Sequence, residues 1–169
     1  AQTTTYTYEL YSWGQGFYGA LGLGNVTNYS SPKQVGSLTT WATIASGLNH
    51  TLAITTAGSL WSWGDNASGQ LGIGSTANKS SPNQVGALTT WSKTSSGSYQ
   101  TIAIKTDGTL WSWGNGSNGR LGLGNATYYS SPKQVGALTT WSKVAAGYYH
   151  SIATKTDGTL WTWGLNTSG

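Results

Sequence analysis

Hydrophobic and polar positions alternate along this chain with the period of β-strands, and the alternation recurs. Segment 101–105 reads Thr-Ile-Ala-Ile-Lys, so its two isoleucines would share one face of a strand. Short segments of this kind are separated by clusters of Gly, Pro, Asn, Asp and Ser, the residues that form turns. No stretch has a sustained helical period. The pattern therefore predicts an all-β protein with essentially no helix.

The phrase Leu-Trp-Ser-Trp-Gly marks an internal repeat of about 50 residues. It stands at 60–64 and 110–114, and close variants stand at 10–14 and 160–164. The first nine residues alternate Thr and Tyr and lack the turn found at this point of the later repeats, which predicts a leading edge strand. We therefore divide the chain, as one domain or a fragment of one, into 1–9, repeats 10–59, 60–109 and 110–159, and the start of a fourth at 160–169.

Four short strands are predicted in each repeat. In the second repeat they lie at 60–63, at the Ser-Ser-Pro segment 80–86, around Trp91 and at 101–105. Proline can open a strand but cannot sit centrally in a hydrogen-bonded ladder. The Asp-Gly pair that ends the repeat is expected to supply the positive φ angles of a tight hairpin turn. Four short strands in tandem repetition are typical of β-propeller blades.

The tryptophans occupy only three positions of the repeat. Within a strand, Trp61 and Trp63 would point to one face, and Leu60 and Ser62 to the other. We expect the aromatic face to fill the space between adjacent blades, where large rings bury the most apolar area. The ten tryptophans are therefore predicted to be scaffold residues: Trp13, Trp41, Trp61, Trp63, Trp91, Trp111, Trp113, Trp141, Trp161 and Trp163.

The repeated motifs resemble those of the regulator of chromosome condensation repeat. They are Leu-Trp-Ser-Trp-Gly, Gly-Gln-Leu-Gly-Ile-Gly, Ser-Ser-Pro, Gln-Val, Gly-x-x-His and Asp-Gly-Thr, and the resemblance covers residues 10–169. It implies a β-propeller, typically seven-bladed in this family, which would need about 350 residues. We therefore expect this chain to be part of a larger propeller, or an open array whose end is covered by another subunit.

Composition and charge exclude several classes of site. The net charge of +4 rests on eight scattered cations, whereas a nucleic-acid interface needs them clustered on one face. Cysteine is absent, which removes disulfides and thiolate metal sites. No apolar run approaches the roughly 18 residues of a membrane span. Nucleic acid is therefore not an expected partner, and no membrane span is predicted.

The titratable residues do not form a recognisable catalytic or metal-binding set. His50 and His150 share one repeat position, but Gln100 takes that position in the middle repeat, so we expect a polar tie across a turn. Asp107 and Asp157 each lie in an Asp-Gly turn, where turn geometry accounts for them. The glycine-rich loop lacks the Lys-Ser/Thr of a phosphate-binding loop. We expect no catalytic, metal or cofactor site, and no enzyme.

The differences between repeats concentrate in loops and turns that carry Tyr, Asn and Ser, residues suited to adaptable recognition surfaces. Expected partners are other proteins, identical subunits or a host glycan. The candidate contact residues are Phe17, Tyr18, Tyr29, Asn49, Lys79, Tyr99, Tyr128, Tyr129, Tyr148 and Tyr149.

The resemblance also guides the expected function. Phage virion proteins and bacterial surface proteins carry similar repeats, so the leading hypothesis is a non-enzymatic structural or binding module on a virion or cell surface. One alternative is a guanine-nucleotide exchange factor or chromatin-docking propeller, after the family's name-giving member. Another alternative is a secreted enzyme inhibitor or lectin-like propeller.

Overall fold

Thirteen short β-strands form the fold in the computed structural model, which describes residues 8–167. Their bounds are β1 Tyr11–Gly14, β2 Tyr29–Gln34, β3 Trp41–Ser46, β4 His50–Thr55, β5 Leu60–Gly64, β6 Lys79–Gln84, β7 Trp91–Ser96, β8 Gln100–Lys105, β9 Leu110–Gly114, β10 Tyr129–Gln134, β11 Trp141–Ala146, β12 His150–Lys155 and β13 Leu160–Gly164. Two single 3-10 turns, Phe17–Gly19 and Ser117–Gly119, are the helical elements of the described residues.

The strands form four antiparallel sheets. The first sheet is β1-β2, the second β3-β4-β5-β6, the third β7-β8-β9-β10 and the fourth β11-β12-β13. The first strands β3, β7 and β11 contact one another in succession, as strands do around the axis of a propeller. The predicted all-β propeller fold is confirmed, with these sheets as its blades.

Each four-stranded sheet takes two strands from one sequence repeat and two from the next. The second sheet runs from Trp41 to Gln84 and so crosses the repeat boundary at residue 60. That boundary falls inside the β4-β5 hairpin, where Ile54 pairs with Leu60. The second, third and fourth sheets are therefore closed by hydrogen bonds between successive repeats, whereas both strands of the first sheet come from one repeat. In the second sheet the outer strand β6 carries Pro82 and pairs only with β5.

Neighbouring sheets pack an aliphatic face against a tryptophan face. Between the second and third sheets, buried Leu52, Leu60 and Val85 meet buried Trp91 and Trp113. The same division follows from the strand period, because residues two apart share a face. Burying such side chains contributes roughly 1.5–3 kcal/mol each. Because the buried side chains come from two facing sheets, the core lies between sheets rather than within one.

The tryptophan faces are ordered by edge-to-face contacts and by hydrogen bonds to the preceding sheet. Trp91 lies 6.1 Å from Trp111 and 5.8 Å from Trp113 between ring centroids. The indole Nε1 of Trp113 donates to the carbonyl of Gln70, 3.0 Å away, as Trp63 and Trp163 do to equivalent carbonyls. Trp13 and Trp161 differ, since they are 59% and 48% exposed on the first and fourth sheets.

The Asp-Gly hairpin turn has one positive φ angle, at Gly108, and not the pair that the sequence led us to expect. The amide of Gly108 donates to the carbonyl of Lys105, and the amide of Lys105 donates to the carbonyl of Thr109. Asp107 instead acts through its side chain, whose Oδ1 accepts from the amide and the hydroxyl of Thr109 at 2.9 and 2.6 Å. The hydrogen bond from the Thr109 hydroxyl has the largest effect, followed by the one from its amide, and together they hold the pKa of Asp107 below its usual range.

The predicted leading strand over 1–9 lies mostly outside the described residues. Tyr8 forms an isolated parallel bridge with Thr40, and its amide donates to the carbonyl of Thr39 at 2.9 Å. No helix within 8–167 is long and apolar enough to cross a membrane.

Candidate functional site

One edge of the array, which we call the loop rim, collects the segments that differ between repeats. It comprises the turns 47–49, 97–99 and 147–149 and the long loops 15–28, 65–78 and 115–128. Amide-to-carbonyl hydrogen bonds join a turn to the loop beside it, from Asp65 to Asn49 and from Asn115 to Tyr99, both 2.8 Å. The opposite edge, the hairpin rim, holds the turns 55–59, 105–109 and 155–159.

The sequence-predicted contact residues all lie in these loops and turns or begin the strands that leave them. Asn49 contributes its backbone carbonyl to the bond with Asp65. Lys79 begins β6 opposite Gly64. The remaining residues form three groups. Phe17 and Tyr18 are exposed on the first sheet, and the half-buried Tyr29 and Tyr129 accept hydrogen bonds from Asn25 and Asn125, respectively. The third group is Tyr99, Tyr128, Tyr148 and Tyr149.

That last group forms a cluster between the third and fourth sheets, which we call the tyrosine patch. The rings of Tyr148 and Tyr149 lie 4.3 Å apart between centroids, and Tyr99 meets Tyr148 edge-on at 6.3 Å. Tyr128 reaches the patch from the long loop, where its hydroxyl accepts from Asn115 at 2.8 Å and contacts the hydroxyl of Ser117 at 3.0 Å. All but Tyr99 are exposed over two-fifths or more of their surface.

A buried arginine lies beneath the patch. Arg120 is only 3% exposed, and its guanidinium carbon lies 4.9 Å from the centre of the Tyr149 ring. Its Nε donates to the carbonyl of Ser117 at 2.9 Å, and a terminal nitrogen is 3.5 Å from the carbonyl of Tyr148. Burial, which disfavours the charged form, lowers the pKa of Arg120, while the surrounding tyrosines act in the opposite direction.

The equivalent positions in the other repeats are built differently. Gln70 stands where Arg120 does, and its amide donates to the carboxylate of Asp65 at 2.9 Å while its Oε1 accepts from the amide of Ser68. The first repeat has Ala20 there. In the third repeat the acid is replaced by Asn115, so the cation that replaces Gln70 has lost the carboxylate partner.

Sequence reasoning missed Arg120, because it stood among scattered charges. Two signals were available. It is the single arginine of the chain, and it replaces an uncharged residue at a position that otherwise follows the repeat. Neither signal predicts that tyrosines from two other turns meet above it, since those turns belong to different sheets.

The histidine position ties neighbouring sheets together, and not the two sides of one turn as we expected. His50 on β4 is buried, with its Nε2 3.3 Å from the hydroxyl of Thr101 on β8. Gln100 on β8 donates from Nε2 to the carbonyl of Gly147, 2.9 Å away in the fourth sheet. His150 is exposed.

Acidic and histidine side chains do not converge in the part of the chain that the structure describes. No group of three His, Cys, Asp or Glu residues there is placed to hold a metal ion. Asp107 and Asp157 are in separate hairpin-rim turns, and Asp157 Oδ1 accepts from the amide and hydroxyl of Thr159 as Asp107 does from Thr109. The arrangement that remains is a recognition surface, the tyrosine patch over Arg120.

Comparison with known proteins identifies the repeat. A family model described as the regulator of chromosome condensation (RCC1) repeat matches residues 9–54, 57–104 and 107–154. A second model with the same description matches 41–70, 91–120 and 141–169, so its units begin at the first strand of the second, third and fourth sheets.

Solved propellers of similar structure include one human and two yeast examples. Human WBSCR16 has a TM-score of 0.83 at 22% identity, over 95% of this chain and 43% of that one. Yeast RCC1 (Prp20), solved bound to Kap60, has a TM-score of 0.79 at 25% identity, over 92% and 39%. Prp20p from Saccharomyces cerevisiae, described with its binding to Gsp1p and histones, has 0.81 at 21%, over 97% and 43%. This chain therefore spans less than half the length of these proteins.

Proposed function

Because the chain belongs to the regulator of chromosome condensation repeat family, we propose that it is a non-enzymatic binding module that recognises another protein through its loop rim. The observation that carries the proposal is the tyrosine patch: four tyrosines from three segments surround a buried arginine, and three of their rings contact one another. Tyrosine and arginine are among the side chains most enriched at the energetic centres of protein interfaces.

The contrast between the two rims supports the choice of surface. The connections 35–40, 85–90 and 135–140 also lie on the hairpin rim, and each presents the same exposed leucine, at Leu38, Leu88 and Leu138. Two of its three turns are also the same Asp-Gly turn. The loop rim presents a different set of side chains on each sheet, and a rigid scaffold with variable loops is the usual way to build specific recognition.

A relative at 25% identity is consistent with a protein partner. Yeast RCC1 (Prp20) was solved in complex with Kap60. We infer from this only the class of ligand, a protein, since the present chain covers 39% of that one.

We propose that the module works on a virion or a cell surface. This part of the proposal rests on the resemblance of its repeats to those of phage virion proteins and bacterial surface proteins. Immunogold labelling of the intact virion or cell with an antibody to the loop rim tests this. Label confined to the cell interior would contradict it.

Photo-cross-linking can test the recognition surface. We expect p-benzoylphenylalanine placed at Tyr128 or Tyr148 in the full chain to cross-link one and the same partner protein in the source that produces it. The matched controls carry the same photo-reactive group on the hairpin rim, at Thr56 and Thr156, and should not capture that protein. Capture from the hairpin rim alone, or from neither rim, would overturn the proposal.

A further inference from the structure

We propose that the tyrosine patch binds an acidic peptide segment of a partner protein, whose carboxylate pairs with Arg120. The inference rests on the proposed function and names the chemistry of the ligand. It arises from the juxtaposition of a buried guanidinium with an exposed cluster of tyrosines on the loop rim.

The guanidinium of Arg120 has unused donors. It carries five N–H groups, and within residues 8–167 its hydrogen bonds are those to the carbonyls of Ser117 and Tyr148. The other terminal nitrogen donates to no atom of that range. A buried cation is costly unless it is paired, so this arrangement favours a ligand that brings negative charge and planar acceptors.

No acidic side chain of the chain lies at the guanidinium of Arg120. The four acidic residues all fall within the described range. Glu9 accepts a hydrogen bond from the hydroxyl of Tyr11. Asp65 and Gln70, which donates to it, lie in the same loop of the second sheet, whereas Arg120 lies in the third. Asp107 and Asp157 lie on the hairpin rim. The net charge of +4 adds a general attraction for an acidic segment.

The geometry of the rings favours a peptide over a sugar. A pyranose ring stacks on a flat, open aromatic face. Here Tyr148 and Tyr149 are inclined at 62°, Tyr99 meets Tyr148 at 86°, and one face of Tyr149 lies over Arg120. The tyrosine patch therefore presents ring edges and hydroxyl groups, which can contact the apolar side chains and backbone groups of a peptide. Rotation of the exposed Tyr149 side chain would widen the approach to the guanidinium.

A displayed library of random 12-residue peptides, selected against the full chain, tests this inference. We expect enriched peptides to contain Asp or Glu beside an apolar residue. Replacing that acid by its amide should weaken binding about tenfold or more, and Arg120→Gln should do the same. In the Arg120→Gln variant the peptide substitution should have no further effect, because the two changes remove one interaction.

Two further variants keep the test independent of folding. Tyr148→Ser, on an exposed turn, should also weaken binding about tenfold, while Tyr18→Asn, which removes a tyrosine elsewhere on the loop rim, should not change it. Enriched peptides without acids, or binding indifferent to Arg120→Gln, would overturn the inference. So would binding of anionic glycans on an array that Arg120→Gln abolishes. With any of these three outcomes cross-linking from the loop rim could still succeed, so the two proposals fail separately.

Discussion

At the scale of single residues, one repeat position shows how environment decides chemistry. The hydroxyl of Thr101 donates to the carbonyl of Gln70 at 2.8 Å, so it can only accept from His50. His50 is therefore protonated at Nε2, and its buried Nδ1 has no partner in the described residues. Burial lowers the pKa of His50 to about 4.

This shift predicts an acid-dependent loss of stability. Between pH 6.5 and about 4 the unfolded chain binds a proton at His50 that the folded chain does not, so stability falls as the pH falls. The slope is about 1.4 kcal/mol per pH unit, or roughly 3 kcal/mol over the whole interval. Urea unfolding at pH 7, 6, 5 and 4 measures it.

His50→Gln should remove most of this dependence, because Gln100 shows that the position accepts glutamine. His150→Gln is the matched control, since His150 is exposed, and should leave the pH profile as it is. A His50→Gln profile as steep as the wild type between pH 6.5 and 4 would show that burial of His50 is not the cause.

At the scale of elements, the glycine-rich loop is explained by what packs against it. Gly72 has a φ of +73°, and a Cβ there would lie 2.5 Å from the indole Nε1 of Trp113. The indole occupies this place because it donates to the carbonyl of Gln70 in the same loop. The loop therefore packs directly against the tryptophan of the next sheet. Gly22 and Gly122 make the same contact with Trp63 and Trp163.

Two glycine substitutions separate packing from backbone strain. Gly86 has a φ of +62° with open space around its Cβ position. Gly86→Ala should cost only the left-handed penalty of about 1–2 kcal/mol. Gly72→Ala should cost about 1–3 kcal/mol more, because it adds a clash with the indole. Chemical denaturation of both variants gives the difference, and equal losses would mean that the indole moves aside freely.

At the scale of the whole molecule, burial depends on where in the array a residue lies. Leu110 on β9 and Leu160 on β13 share one repeat position and the same neighbours in sequence, yet Leu110 is 0% and Leu160 is 64% exposed. Leu110 meets Trp141 and Ala153 of the fourth sheet. The energy of each repeat thus comes largely from its interface with the next, as in other repeat proteins.

Truncating the two leucines tests that dependence. Leu110→Ala should lower the free energy of unfolding of the 169-residue chain by about 2–5 kcal/mol, since it empties a packed interface. Leu160→Ala should lower it by less than about 1 kcal/mol. Thermal and urea unfolding would report both values. Similar losses for the two variants would indicate that the leucine acts within its own strand and not between sheets.

The strands, the repeat and the family can be predicted from the amino-acid sequence, because they follow from short-range features. Alternation fixes which side chains share a face, and proline and glycine mark strand edges and turns. The same features exclude Pro82 from the centre of a hydrogen-bonded ladder, and the structure has it on the outer strand β6. They also put Trp63 and Leu60 on opposite faces of one strand, where they join different core clusters.

The strand at which each sheet begins, and the candidate site, are set by the packing of the folded chain. A repeat has no intrinsic starting point, so hydrogen bonding alone shows that a sheet begins at Trp41 and ends at Gln84. The tyrosine patch joins Tyr99, Tyr148 and Arg120 from segments that are far apart in the chain. Their meeting depends on how one sheet is set against the next, which no local pattern encodes.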